Sequence, residues 1–255
     1  MPSMSPQFEI KFAATPDDLR AAQRLRYDVF VLEMGSDGTL VDHDERLEQD
    51  SYDDQCLHLI LFDRARAPGD QAVGVYRLLP EDRAVQGFYS ETEYDLGPLL
   101  RSGRKLLELG RSCLHRDYRG GMAMHLLWQH LARYVQDTDV GLLFGTASFR
   151  GTNVADLAAP LSLLHYRHLA PAALRPRARD EHYQRMDLIP ESDLDRRAAV
   201  RQIPSLIKAY LRLGGVVGDG AYIDHAFNTT DIFLLVDMAT LSARQKAIYA
   251  AERGT

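Results

Sequence analysis

Residues 106–135, LLELGRSCLHRDYRGGMAMHLLWQHLARYV, constrain the fold more than any other stretch of the chain. An apolar run over 106–114 passes through a basic, glycine-bearing turn into a segment where Met124, Leu127, Trp128, Leu131 and Val135 recur at helical spacing. A buried strand that feeds an amphipathic helix is a building block of α/β sheets. Glu108 and Arg111 interrupt the strand three residues apart, so on a regular strand they face opposite ways. A bulge at Gly110 brings both onto one face, and an isolated glycine inside a strand pattern is where a bulge is expected. The turn over 115–121 sets Arg116, Arg119, Gly120 and Gly121 beside the helix start, where free amides, the helix dipole and guanidinium forks all favour an anion such as a phosphate.

A chain of 255 residues, 45% hydrophobic, can bury one large core. The expectation is a single domain over 1–255, with 170–255 packed on the core as an extension. A net charge of −6 argues against a nucleic-acid binder. Cys56 and Cys113 both fall in apolar runs and make no disulfide framework, which suits a reducing compartment. No signal pattern or long apolar run is present, so a cytoplasmic protein is expected, with peripheral contact to the inner face of a membrane left open.

Taken in order, residues 8–13 alternate as a strand, and Thr15-Pro16-Asp17-Asp18 starts a helix with an N-cap, a first-turn proline and two acids. The apolar stripe Leu19, Ala22, Val29, Phe30 of that helix also carries Arg26, and a guanidinium on a buried face needs a carboxylate or a cleft. Residues 42–54, DHDERLEQDSYDD, form an acidic run that ends in an apolar strand over 56–62. Such a run is usually a solvated loop, but its position puts Asp50 and Asp53 at a sheet end. A turn at Pro68-Gly69-Asp70 leads into a second strand over 72–79, interrupted by Arg77, and the two read as a hairpin. After an aromatic, acidic loop over 87–97 come Arg101, Arg104 and Lys105. With Arg116 and Arg119 they form a basic set on an acidic chain, suited to an acidic partner. Further on, 140–147 reads as a strand, 161–169 and the segment opened by Pro204 as helices, 232–236 as the last strand and 240–255 as a tail helix. The His165-x-x-His168 pair lacks further ligands at metal spacing, and no metal is expected.

The strand–turn–helix of 106–135 resembles motif A of the GNAT acyltransferases, with Met122 and Met124 standing at two positions that are usually small. More specific is an ordered set: Arg26-Tyr27-Asp28-Val29-Phe30, Asp50-x-x-Asp53, Gly74-x-x-Arg77 and Glu108-Leu109-Gly110-Arg111. It resembles the core shared by acyl-homoserine-lactone synthases and ornithine N-α-acyltransferases. The second group fits better, through Arg111-Ser112-Cys113, the 160–165 and 208–215 segments and Phe227-Asn228-Thr229-Thr230-Asp231. The tryptophan that lactone synthases carry after the first motif is replaced here by Met34-Gly35.

The resemblance implies a GNAT-like α/β fold with a mixed, splayed central sheet flanked by helices, opened between the strands of 106–114 and 140–147. It also implies an N-acyltransferase that moves a long 3-hydroxyacyl group from acyl carrier protein to the α-amine of ornithine, giving lyso-ornithine lipid. Because a thioester is already activated, an amine attacks it directly, so no cofactor beyond the carrier's phosphopantetheine is expected. Glu108 is the expected proton acceptor, beside Arg111, with backbone amides near Ser112 holding the thioester oxygen. Arg26, Phe30, Asp50, Asp53 and Arg77 are expected to bind the amino acid, whose carboxylate asks for arginine and whose side-chain ammonium asks for acid. Arg101, Arg104, Lys105, Arg116, Arg119, Gly120 and Gly121 are expected to hold the acyl donor. The alternatives are acyl-homoserine-lactone synthesis and a non-catalytic sensor of acyl carrier protein or lipid.

Overall fold

The computed structural model describes residues 5–36, 38 and 40–242. Two compact units emerge among the described residues, the first within 5–85 and 109–139, the second within 86–108 and 140–242. The tail helix expected from 240 lies, from residue 243 on, outside the described residues.

In the first unit, β1 (Phe8–Phe12) leads into α1 (Pro16–Arg26), where Thr15 caps the helix by accepting from the Asp18 amide at 3.2 Å. Helix α1 widens directly into a π-helical turn, Tyr27–Glu33, a form often found at functional sites. Strands β2 (Leu57–Asp63) and β3 (Ala72–Pro80) make the expected antiparallel hairpin, with Gly69 at φ +95° in the connection. β3 is buried at all nine positions, as a strand covered on both faces must be. On one side, Ala22, Leu25 and Val29 pack with Ile60, Phe62, Val75 and Cys113. On the other, Gly74 leaves room for Leu114 and Leu127, whose methyl carbons lie 2.8 and 2.9 Å from where a Cβ would stand.

In the second unit, β4 is Tyr94–Asp95 and α2 is Gly97–Leu100. Strand β5 (Leu106–Leu114) belongs to both units, its first three residues to the second and the rest to the first. After β5 the first unit resumes with a short turn and α3 (Ala123–Asp137), which packs on β1, β2 and β3.

The second unit continues with β6 (Leu142–Arg150) and α4 (Ala158–His168). The two-residue strands β7 (Arg177–Ala178) and β8 (Tyr183–Gln184) follow, then helices α5 (Arg196–Gln202) and α6 (Ser205–Arg212), and last β9 (Val216–Asp224) and β10 (Thr229–Asp237). β10 pairs antiparallel with both β6 and β9, β7 joins β9 in parallel and β4 pairs with β7. β5 pairs with β6 in parallel, and the register among the described residues covers three pairs, from Leu106↔Leu142 to Glu108↔Phe144. The sheet is therefore mixed. Residues 171–242 belong to the same unit as β6, with α4 and α5 packed together and α6 against β10.

Candidate active site

The acidic run sorts into two kinds of residue. Asp42 closes a small turn, exchanging backbone hydrogen bonds of 2.9 Å with Leu47, and its side chain accepts from the amides of Asp44 and Glu45. Leu47 is buried, and this anchor turns the next acids inward. Glu48, Asp50 and Asp53 then meet three arginines brought by three different elements: Arg26 from α1, Arg77 from β3 and Arg111 from β5.

These six side chains form a closed alternating ring. Arg26 Nε donates to Glu48 Oε2, and Glu48 Oε1 accepts from Arg111 Nε at 3.1 Å. Arg111 Nη2 reaches Asp50 at 2.8 Å, and Asp50 Oδ1 accepts from Arg77 Nη1 at 2.6 Å. The same Arg77 nitrogen donates to Asp53 Oδ1 at 3.0 Å, and Asp53 returns to Arg26 Nη1 at 2.8 Å. Gln23 and His58 complete the shell around Asp53, the first donating to Oδ2 at 3.0 Å, the second set 3.0 Å from its carbonyl. Three guanidiniums against three carboxylates leave no formal net charge, which is how charges persist in an apolar interior.

The ring is not uniformly enclosed. Arg26 has no exposed surface, whereas the side chains of Asp50 and Arg111 keep 17% and 16%. The wet edge is thus an acid beside an arginine. Burial raises the Asp53 carboxyl, yet the charge and hydrogen bonds of Arg26, with the charge of Arg77, outweigh it and hold it far below the usual carboxylate range. Asp50 is lowered in the same way, burial opposing and the charges of Arg77 and Arg111 prevailing.

Arg111 sits at φ +49°, and the left-handed residue of β5 is this arginine and not Gly110. A non-glycine residue held in that region is costly and persists where its surroundings over-determine it. The two carboxylates that grip its guanidinium supply that constraint. Ser112, the next residue, has a buried Oγ with no hydrogen-bond partner among the described residues. Cys113 packs beneath α1, and burial pushes its thiol up to about 12, which leaves it without nucleophilic character at neutral pH. Phe30, on the π-helical turn, packs half-buried against the same apolar cluster.

Glu108 belongs to the second unit. Its carboxylate is 4% exposed and accepts from the Tyr89 and Ser90 amides at 2.8 and 2.7 Å, and from the Ser90 hydroxyl. It thereby caps the short helical turn Tyr89–Thr92. The ring in the first unit gathers Arg26, Asp50, Asp53, Arg77 and Arg111 as one cluster. It adds Glu48, which the sequence reading passed over; the signal was the lone Leu47 amid acids, which marks the point where the run turns inward.

The residues expected at the acyl donor fall in two groups. In the second unit, Arg104 is committed to Asp237 at 2.7 Å and to the Gly141 carbonyl at 3.0 Å, while Arg101 and Lys105 are exposed. In the first, Arg119 folds back to donate to the Leu114 carbonyl and pairs with Glu33 at 2.8 Å, while Arg116, Gly120 and Gly121 are exposed. Gly120 takes φ +76°, and α3 opens without a side-chain cap, so its first amides are left for another acceptor. Among the described residues, Glu93, Asp224 and Asp231 bring carboxylate oxygens within 4.8 Å of one another, an oxygen-only set that excludes His165 and His168.

Comparison with known proteins agrees with this architecture. A profile described as an acetyltransferase (GNAT) domain matches residues 25–129, which run from the end of α1 into the first half of α3. The fold resembles the CoA-dependent acyl-homoserine lactone synthase BjaI, with a TM-score of 0.54 at 17% identity over 95% of this chain and 88% of that one. It also resembles FeeM, an N-acyl amino acid synthase from uncultured soil microbes, at 0.52 and 11% identity over 92% and 93%. The fold is that of a GNAT-type acyltransferase, as the sequence led one to expect. Over 246 residues the chain is 53% identical to the L-ornithine N(alpha)-acyltransferase of Rhodobacter capsulatus, covering 95% of this chain and 94% of the relative. It is 39% identical to the enzyme of that name from Brucella abortus, covering 96% and 89%. The chain belongs to the L-ornithine N(alpha)-acyltransferase family.

Proposed function

We propose that this chain is an acyltransferase that moves a long-chain 3-hydroxyacyl group from acyl carrier protein to the α-amine of L-ornithine, giving lyso-ornithine lipid. The observation that carries the reading is the near full-length identity to relatives bearing that name. The ring adds a chemical reason. Ornithine carries an α-carboxylate and a δ-ammonium, and the wet edge of the ring offers Arg111 for the first and Asp50 for the second.

The α-amine nitrogen attacks the thioester carbonyl carbon, a C–N bond forms, the tetrahedral intermediate collapses and the C–S bond breaks. The amine proton goes to a base and the carrier thiolate regains one from solvent. Glu108 is the assigned acceptor, directly or through a water. The Ser112 hydroxyl and the backbone amides beside it are assigned to the developing oxyanion, a role that suits a buried donor not already committed. Arg116, Gly120, Gly121 and the open amides of α3 are assigned to the phosphopantetheine phosphate. Cys113 takes no part.

Incubating the purified protein with 3-hydroxyacyl carrier protein and a panel of amino acids, followed by mass spectrometry, tests the reading. Acyl-ornithine together with freed carrier thiol is expected. An intact thioester points to a sensor, and turnover only with S-adenosylmethionine points to lactone synthesis. Glu108→Gln is expected to lose acyl transfer by about 100-fold or more, in the range for removing a general base.

A further inference from the structure

Helices α5 and α6 share a pattern that the chemistry does not use. In α5, Arg197, Val200 and Arg201 stand at i, i+3 and i+4 and are all exposed, Val200 by 46%. In α6, Lys208, Leu211 and Arg212 repeat the order of cation, aliphatic, cation at the same spacing. The opposite faces are buried, through Ala199 in α5 and Ile207 and Tyr210 in α6. The two triplets are neighbours, because Lys208 Nζ donates to the Arg201 carbonyl at 3.3 Å.

Residues 196–212 hold five cations (Arg196, Arg197, Arg201, Lys208, Arg212) and no carboxylate, in a chain of net charge −6. The acids that precede α5 in the chain are already engaged, Glu191 with Arg167 and Arg196, and Asp195 as the helix cap. Among the described residues, Arg197, Arg201, Lys208 and Arg212 make no ion pair. An acidic protein is repelled by an anionic surface unless one face reverses the sign locally, and within the roughly 8 Å screening length at physiological salt that face decides the interaction. Aliphatic side chains interleaved with cations fit the headgroup boundary of a bilayer, where the cations meet phosphates and the branched side chains enter the acyl edge.

We propose that the outer face of α5 and α6 docks on an anionic lipid bilayer. The face binds lipid phosphates independently of the acceptor that the enzyme acylates, so the test needs no turnover. The full chain is pelleted with phosphatidylglycerol-containing vesicles and with pure phosphatidylcholine vesicles. Binding to the first, weakened by salt and absent from the second, is expected. Arg197→Gln/Arg201→Gln is expected to weaken it about 25-fold, at roughly fivefold per cation near an anionic surface. Val200→Asp, which spares every cation, is expected to weaken it too. Arg20→Gln/Arg24→Gln, which removes two exposed arginines from α1, is expected to change nothing. Circular dichroism confirms that each variant is folded. The proposal is overturned by equal binding to both vesicles or by none. It is also overturned if the α5 variants pellet like wild type, including the case in which they lose acyl carrier protein instead, or if the α1 variant loses binding to the same extent.

Discussion

Asp53 shows how much a single side chain can be asked to hold. It faces two guanidiniums and a glutamine amide in a setting 5% exposed, so removing it strands Arg26 and Arg77 with less than their charge balance. Truncating one partner of a buried ion pair costs about 3–5 kcal/mol. Asp53→Ala is therefore expected to lower the unfolding free energy by that amount, read as a lower urea midpoint at unchanged m. By contrast, Arg46→Ala, which breaks the exposed pair with Asp28, is expected to change the unfolding free energy by less than about 1 kcal/mol. Equal losses in the two variants would mean that the ring is not the tie between α1 and its neighbours. A second expectation concerns Cys113. With its thiol raised to about 12 and buried beneath α1, it should resist iodoacetamide in the native protein at pH 8 and react after urea unfolding. Cys113→Ala should retain acyl transfer, and loss of turnover in a folded variant would restore the thiol as a candidate nucleophile.

At the level of elements, Gly74 fixes how closely β3 approaches β5 and α3. A side chain there meets Leu114 and Leu127 at about the distance of an overlap, and the Leu61 Cβ at 3.3 Å. Gly74→Val is expected to destabilise by about 1–3 kcal/mol, the usual range for overpacking, read as a lower melting temperature with an unchanged far-ultraviolet spectrum. Much of this layer was legible in the sequence. β5 has the bounds that its apolar run suggested, α1 starts at its Thr-Pro-Asp-Asp signal, and the β2–β3 hairpin turns at Gly69 because local rules govern all three. β9 and α5 were not seen. β9 alternates small and polar residues around Gly218 and Gly220, so its apolar signal is weak, and α5 is seven residues long and mostly arginine and alanine. The ring was legible in part. Arg26, Asp50, Asp53, Arg77 and Arg111 each stand out as a charge in an apolar or strand-end setting. Glu48 does not, because its pairing depends on a turn closed by Asp42 and Leu47. The left-handed backbone fell on Arg111 and not on the glycine beside it, because two carboxylates hold that guanidinium and local propensity was overridden.

Across the whole molecule, the buried titratable groups act in concert on stability against pH. Asp18, Asp50, Asp53, Asp63 and Asp237 all lie below their ordinary value of 3.8, burial opposing in each case and hydrogen bonds or nearby cations prevailing. An unfolded chain takes up these protons first as acid is added, so the stabilisation is complete above about pH 5 and is lost as pH falls through the folded values. His58 is lowered from 6.5, chiefly by burial, and stays neutral in the native state while the unfolded imidazole charges. It therefore withdraws stability in the same direction but earlier, starting near its ordinary value. At the other end, burial raises Cys113 from 9.0 to about 12 and holds the Tyr94 hydroxyl well above 10.0. The unfolded chain loses these protons first, and stability declines as pH rises past the ordinary thiol value. Urea unfolding from pH 3 to pH 10 is thus expected to give a plateau between about 6.5 and 8.5. On the acid side a shallow loss should precede a steep one below about 4, because three imidazoles lowered chiefly by burial, His58, His115 and His168, act before the carboxylates. His58→Asn should reduce the shallow part, with His115 and His168 supplying the rest, and leave the steep part in place. A stability maximum near pH 5 would show that the ring and the capped acids do not carry depressed affinities for protons in the native state.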